Sequence, residues 1–379
     1  MAVSTIGTNG LTSGLGVTAS TLSVNGNNIS AVNSLGFRNR IINGNMVIDQ
    51  RNNGASVSIS NGTTTYLTDR WQVFENGSMA FSGQQVSTAP AGFNRSLLIT
   101  TTTAAAAGSA DRCALTQIIE GFNIADFGWG AAGASAITLS FWVRSSLTGQ
   151  FGGALQNSAQ DYSYPFSFTI SAANTFEFKT VTIAGPTTGT WSTDNTGGVR
   201  VSFDLGMGST LLGTAGAWAA ADYRGATGDV KLSGTNGATF NLTGVQLEAG
   251  SVATPFEQID YGRELMLCQR YFCMTFSQGT APASNAGQGG ALLTLNGSGT
   301  GVSVGLIATW FFPVEMRTGP SVVTTYNPSA AGSSWFLNTA GTVAAATSNP
   351  GTRGVTVYNN ATSTSGTNAA IHVTASAEL

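Results

Sequence analysis

Charge is scarce in this chain. Only 9% of its 379 residues are Asp, Glu, Lys or Arg, against roughly a quarter in an ordinary soluble protein. The 15 basic residues are scattered singly, Arg38 and Arg40 being the nearest to a pair. Displacing counterions from phosphates takes clustered Lys and Arg, so no nucleic-acid partner is expected. No run approaches the roughly 20 apolar residues that span a bilayer, so no membrane insertion is expected. Histidine is reduced to His372, which alternates with Ile371 and Val373 as on a strand. General-base chemistry would also need a nucleophile and an orienting group, so His372 reads as structural. The three cysteines, Cys113, Cys268 and Cys273, are odd in number and lack a C-x-x-C pair. Their count and spacing argue against a zinc site, and more strongly against a disulfide framework, and they read as buried thiols. No Asp-x-Asp-x-Asp-Gly loop is present, so no cofactor is expected; a structural calcium ion stays open, without assignable ligands. The opening MAVSTIGTNG has neither the basic nor the apolar part of a secretory signal peptide.

What is present instead is 49 glycines and a surface of Ser, Thr and Asn around a chain that is 42% hydrophobic. Residues 1–40 hold sparse aliphatics and no aromatic before Phe37. So light a stretch cannot bury a core alone and reads as an extended arm that is either disordered or ordered by a partner, the latter being what an assembly protein would show. Within it, Thr21-Leu22-Ser23-Val24 leads into Asn25-Gly26, a dipeptide that favours tight hairpins. From Ile41 to Phe256 the alternation predicts strand after strand. Ile137, Leu139, Phe141 and Val143 share one face; Tyr164, Phe166, Phe168 and Ile170 repeat the pattern, as do Val199, Val201, Phe203 and Leu205. Phe240 and Leu242 alternate until the parity shifts at Gly244, which predicts a bulge before Val245 and Leu247. One helix is expected from Tyr261 to Cys273, with Leu265, Cys268 and Phe272 on its apolar face. Strands follow at Val302, Val304 and Leu306, at Trp310 to Met316, at Val322 to Tyr326, at Val355 and Val357, and at Ile371 and Val373. No fixed repeat emerges, which disfavours a β-helix or propeller. The expected fold is all-β. It comprises an arm (1–40), a jelly-roll β-sandwich (41–258), a short helical connector (259–276) and a second, smaller C-terminal β-sandwich (277–379).

The run Arg40-Ile41-Ile42-Asn43-Gly44-Asn45-Met46-Val47-Ile48-Asp49-Gln50-Arg51, then Tyr66-Leu67-Thr68-Asp69-Arg70-Trp71, resembles the opening of a domain common in bacteriophage tail fibre proteins. The likeness continues through Leu139-Ser140-Phe141-Trp142-Val143-Arg144 and closes with Gly244-Val245-Gln246-Leu247-Glu248-Ala249-Gly250 and Ala253-Thr254-Pro255-Phe256-Glu257. It covers roughly residues 40–273. The C-terminal part resembles fibre tips more loosely, through Phe312-Pro313-Val314-Glu315-Met316-Arg317 and Ala375-Ser376-Ala377-Glu378-Leu379. An opening Asn43-Gly44 strand and a closing Val245-Gln246-Leu247 strand are also similar to jelly-roll carbohydrate-binding modules. The resemblance implies a receptor-binding virion structural protein made in the host cytoplasm and placed in the tail. It would be a homotrimer, joined to other tail proteins through residues 1–40, mediating host adsorption by non-catalytic binding of a cell-surface glycan. The alternatives are a head fibre or capsid decoration protein, and an enzyme, a glycan depolymerase.

Neutral sugars stack their C–H faces on aromatic rings and bond hydroxyls to amides. The candidate platforms are Trp129 within Gly128-Trp129-Gly130, Trp191 before Ser192-Thr193-Asp194-Asn195, and Trp218 with Tyr223, with Asp194 and Asn195 as hydroxyl partners. The competing reading is that these rings cap the core or pack between protomers. Trp71 and Trp142 are assigned to packing, and Asp69-Arg70 to a structural ion pair. Asp161, Asp194, Asp204, Asp222 and Glu248 lie near strand ends, but no spacing singles out the carboxylate pair that a glycosidase needs.

Overall fold

A computed structural model describes residues 22–24, 27–29, 37–59, 61–295, 305–338, 341–359 and 368–379. The expected strand positions Val302 and Val304, and most of the arm, lie outside them. Two units are distinguished, Met1–Arg38 and Asn39–Leu379. In the first, Leu22–Val24 pairs antiparallel with Asn27–Ile29, on either side of Asn25-Gly26.

The second unit begins with a jelly-roll sandwich of two six-stranded antiparallel sheets. One runs in the order Ser163–Ile170, Gly149–Asn157, Gly197–Asp204, Cys113–Glu120, Trp71–Glu75, Thr64–Thr68. The other runs Glu177–Ile183, Ile137–Ser145, Thr239–Ala249, Ser96–Thr103, Ala80–Val86, Val57–Ile59. The alternating residues meet between the sheets: Ile137, Leu139, Phe141, Val143, Val199, Val201 and Phe203 are completely buried. Phe141 sits edge-on to Phe168 and Phe203, each with ring centroids 5.0 Å apart, a favoured aromatic geometry. The bulge at Gly244 is present. Its φ is +60°, and the pairing with Ile137–Ser145 shifts between Thr243 and Gln246.

Three local expectations are corrected. The Asn43-Gly44 segment is a turn, with Asn43 and Met46 both left-handed. The Asn43 side chain replaces strand pairing there: it donates to the Ile48 and Asp69 carbonyls and accepts from Ile48 N–H. A Cβ on Gly44 would lie 2.1 Å from the Val245 carbonyl oxygen, so the close approach needs glycine. The helix is Tyr261–Gln269 and stops short of Cys273, because Phe272–Met274 joins a sheet with Asn368–Ser376. The strand predicted over Trp310 to Met316 is Ile307–Phe311; Pro313 has no N–H to continue a ladder.

The rest of the unit is a smaller β layer pair. Asn368–Ser376 is the hub of one sheet, pairing with Phe272–Met274, Leu292–Leu295, Val322–Tyr326 and Ser334–Leu337. The other sheet holds Ile307–Phe311, Gly354–Tyr358 and Ala346–Gly351. Their shared core includes Trp335, Ile371, Val373, Val355 and Val357. His372 is 1% exposed and stacks on Phe276 with ring centroids 3.9 Å apart. Its Nε2 bonds the Gly287 carbonyl and its Nδ1 faces the Thr275 hydroxyl, the pattern of a neutral ring.

The expected Asp69–Arg70 ion pair is also corrected. Arg70, buried and left-handed, pairs with Glu378, donates to the Ile118 carbonyl and lies over the Tyr271 ring. Asp69 instead accepts from the Gln50 backbone N–H and side-chain amide. Arg51 also pairs with Glu378, at 2.7 Å, while Arg270 and the Tyr271 hydroxyl both reach Glu120. These contacts bind the sandwich to the C-terminal sheets.

Glu378→Ala would leave the Arg70 guanidinium buried without its carboxylate and should destabilise the protein by about 3–5 kcal/mol. Urea denaturation checks this; a loss below about 1 kcal/mol would mean that Ile118 and Tyr271 suffice. A second expectation concerns pH. Burial lowers the His372 pKa, opposed by the Gly287 carbonyl. The unfolded ring titrates near 6.5, so the unfolded chain binds the proton first. The ring's contribution is full above about pH 6.5 and declines as pH falls toward the folded value. The stability advantage over His372→Gln should therefore shrink between pH 7.5 and pH 5. A constant advantage would refute a neutral buried ring.

Candidate functional site

The structure gathers Trp129, Trp191 and Trp218 into one cluster. The ring centroids are 4.7 Å apart for Trp129–Trp191, 5.6 Å for Trp129–Trp218 and 5.4 Å for Trp191–Trp218, all edge-on. Each indole N–H is taken by a loop carbonyl: Ser135 for Trp129, Thr188 for Trp191 and Ala184 for Trp218. Trp129 and Trp191 are each only 9% exposed. The partly exposed members are Trp218 and Tyr162, which stack at 5.6 Å and 13°. Tyr162 was not foreseen; it is the aromatic nearest in sequence to the Asp161 turn.

The other sequence candidates stand apart. Among the described residues, no ring contact or hydrogen bond joins Tyr223, Asp194 or Asn195 to the three indoles. Tyr223 packs over Gly213, and its N–H donates to the Ser163 hydroxyl. The exposed Asp194 carboxylate accepts from the Thr196 hydroxyl and N–H, which hold it below the ordinary carboxylate range. Asn195 exchanges two hydrogen bonds with Arg317, its amide donating to the Arg317 carbonyl and its carbonyl accepting from the guanidinium. That is a tie to the C-terminal sheets.

A larger feature was not foreseen. An open cleft of about 740 Å³ lies beside the helix, within the size range of small-molecule sites. One wall is the Val47–Asn53 segment, shaped by Asp49, whose carboxylate accepts from the Asn52 and Gly54 N–H groups. The opposite wall is the helix, which Asp260 caps by accepting from Arg263 N–H. Met274, Phe276 and Gln278 follow from the chain after the helix, and Gln85, Asn94 and Arg95 come from the sandwich. Tyr261 is 44% exposed and its hydroxyl accepts from Gln278. Among the described residues, the side chains of Asn94, Arg95 and Gln269 make no protein hydrogen bond, so they are available to a ligand. Burial raises the Asp49 carboxyl above its ordinary value, opposed by the Gly54 and Asn52 N–H groups.

Chemically, the cleft offers amides, one guanidinium, one carboxylate and an exposed ring. Asp49 is the one carboxylate among its lining residues, whereas glycoside hydrolysis takes two. The acids noted in sequence are held elsewhere. Asp204 pairs with Lys231, Asp222 with Arg224, Asp161 accepts from Asn157, and Glu248 accepts from the Thr254 N–H and hydroxyl. The cleft draws on separated segments and carries no local motif. Its one sequence signal is the density of Asn and Gln in 50–53 and again at Gln269 and Gln278.

No protein-family model matches the chain, and no curated protein matches it in sequence. In structure it is similar to the enzymatically active domain of bacteriophage CBA120 tailspike protein 4, at 12% identity over 56% of this chain, with a TM-score of 0.31. The chain spans only 21% of that tailspike chain. It is similar to a putative sugar binding protein from Bacteroides thetaiotaomicron, at 13% identity over 56% of this chain and 100% of that one, with a TM-score of 0.31. It is also similar to a family 11 carbohydrate-binding module of a Clostridium thermocellum cellulase, at 12% identity over 51% of this chain and 99% of that one, with a TM-score of 0.26. The all-β sandwich assignment stands on the sheet topology of this chain.

Proposed function

We propose that this protein binds glycans without catalysis and serves as a tail fibre in a bacteriophage virion. The observation that carries the binding reading is the cleft beside the helix. Unpartnered Asn94, Gln269 and Arg95 side chains face the same space as Asp49 and the exposed ring of Tyr261, the combination that polyhydroxylated, C–H-faced ligands require. A single carboxylate in that cleft supports binding over hydrolysis. Trp218 and Tyr162 form a second, smaller aromatic surface.

The tail-fibre placement is supported by the sequence resemblance of residues 40–273, and residues 1–40 are the segment proposed to join other tail proteins. A homotrimer is supported by apolar side chains left in solvent on the C-terminal sheets: Ile307 at 61% and Phe311 at 76% exposed share one face of a strand. Covering them between copies would remove that surface from water, and three linked sites would turn weak sugar contacts into firm attachment.

The test is binding of the purified chain to an array of bacterial-surface polysaccharides, with Tyr261→Ala, Gln269→Ala and Trp218→Ala alongside. Tyr261→Ala should weaken binding about tenfold or more while leaving the unfolding midpoint nearly unchanged, since the ring is partly exposed. Loss with Trp218→Ala alone would move the site to the tryptophan cluster, and absence of any glycan binding would overturn the reading. Light scattering should give three times the 38.7 kDa chain mass. Antibody label on virions should fall on the tail; label on the head would make the chain a head fibre. Release of reducing ends from a bound polysaccharide would make it a depolymerase.

A further inference from the structure

The outer face of the sheet that contains Gly197–Asp204 carries a second recess. Val199, Val201 and Phe203 point into the core, so Arg200 and Ser202 stand on the opposite face. The register sets Ser202 beside Thr116 and Thr116 beside Gln72, with Arg200 between Ile118 and Gln156. The Thr116 and Ser202 hydroxyls lie 3.0 Å apart. Gln72, Thr116, Arg200 and Ser202, together with Arg112 and Arg224, line a groove of about 230 Å³, which Leu379 also borders.

Three guanidiniums thus share one small polar groove in a chain that has only 15 basic residues. Arg224 is neutralised by a two-point pair with Asp222, at 2.9 and 3.0 Å. Among the described residues, neither Arg112 nor Arg200 has a carboxylate within ion-pair distance, and neither guanidinium makes a protein hydrogen bond. Burial, and after it the Arg224 charge, pushes Arg200 down to about 10. The Asp222 carboxylate acts on Arg200 from beyond ion-pair distance and is already taken by Arg224, so a partly buried cation beside two like charges keeps an unfilled demand for negative charge.

We propose that this groove is an oxyanion site that takes the carboxylate, sulfate or phosphate group of a charged saccharide, with Arg200 and Arg112 as its direct ligands. The guanidinium fork matches the paired oxygens of such groups, and Thr116 and Ser202 add hydroxyls on the groove floor. The volume falls below the 300–1,000 Å³ usual for whole-ligand pockets, which limits the site to one charged substituent and not a length of polymer. That a sugar carries the anion rests on the glycan reading above; the anion site itself does not.

The experiment is isothermal titration of the full chain in low-salt buffer free of phosphate and sulfate, with sodium sulfate, glucuronic acid and glucose as separate titrants. Saturable binding of sulfate and glucuronic acid, weakened by added sodium chloride, is the expected result. Glucose should not displace either anion. Arg200→Gln should weaken both anions at least about tenfold, and Arg200→Lys should restore only part of the loss, because a point charge lacks the fork. Should Arg200→Gln fail to fold, Arg112→Gln serves as the second variant. No saturable binding of either anion at millimolar concentration overturns the proposal, as does affinity unchanged in both Gln variants. Sulfate binding without glucuronic acid binding would leave the anion site standing and overturn a carboxylated sugar as its source. Sulfate needs no saccharide, so this result and failure of the cleft on the polysaccharide array are distinguishable.

Discussion

The burial of Arg70 is the constraint around which the second unit is arranged. A non-glycine residue at φ +70°, with a guanidinium cut off from water, carries both backbone strain and a desolvated charge. Such a residue persists only when its surroundings over-determine it. Glu378, the Ile118 carbonyl and the Tyr271 face do so from three directions. Each brings another element with it. Ile118 belongs to a central strand of the sandwich, Tyr271 follows the helix, and Glu378 follows the hub strand of the C-terminal sheets. Seating one cation therefore fixes where the helix ends and where the last strand must return. The cleft lies between the Val47–Asn53 wall and that helix, so its shape depends on the same contacts.

The sandwich was legible in the sequence because its cause is local. Alternation such as Ile137, Leu139, Phe141 and Val143 needs no knowledge of the partner strand, and the parity shift at Gly244 announces its own bulge. The errors fall where the cause is remote. Nothing near Asp69-Arg70 reveals that the carboxylate for Arg70 lies 308 residues away, so two adjacent opposite charges invited a local pair that does not form. Cys273 continues a helical spacing from Leu265, yet pairing with Asn368–Ser376 overrides it. A strand at Asn43-Gly44 is what the resemblance to carbohydrate-binding modules implies; the Asn43 amide instead satisfies the backbone groups that a ladder would have used. The cleft was illegible for the same reason, since its walls come from segments that no window of sequence contains.

The tryptophans show how a correct residue choice can still miss a role. Glycine-rich contexts around Trp129 and Trp191 did mark loops, and the loops do converge. Their purpose in the fold is to be pinned: three indole N–H groups hold three separate loop carbonyls, and the rings lock edge-on. A cluster fixed in this way resists rearrangement, so any ligand would meet only the faces left over on Trp218 and Tyr162. The cleft has the opposite character. Its Asn94, Arg95 and Gln269 side chains are uncommitted, and hydroxyl recognition requires donors and acceptors that the fold has not already used.

Scarcity of charge gives those few charges meaning. On a highly charged surface an unpaired arginine is ordinary, because solvent and mobile counter-ions screen it. Here neutral hydroxyls and amides cover most of the surface, and several of the few ions are placed with partners: Arg51 and Arg70 on Glu378, Arg270 on Glu120, Lys231 on Asp204. Those pairs join segments distant in sequence, as a structural ion pair should. Among the described residues the Arg112 and Arg200 guanidiniums pair with nothing, although Arg200 rises from a central strand whose other face is core. Set beside the long-range pairs at Glu378, Glu120 and Asp204, two open guanidiniums next to a third that is already satisfied separate two uses of the same side chain. One holds the chain together; the other faces outward to a ligand.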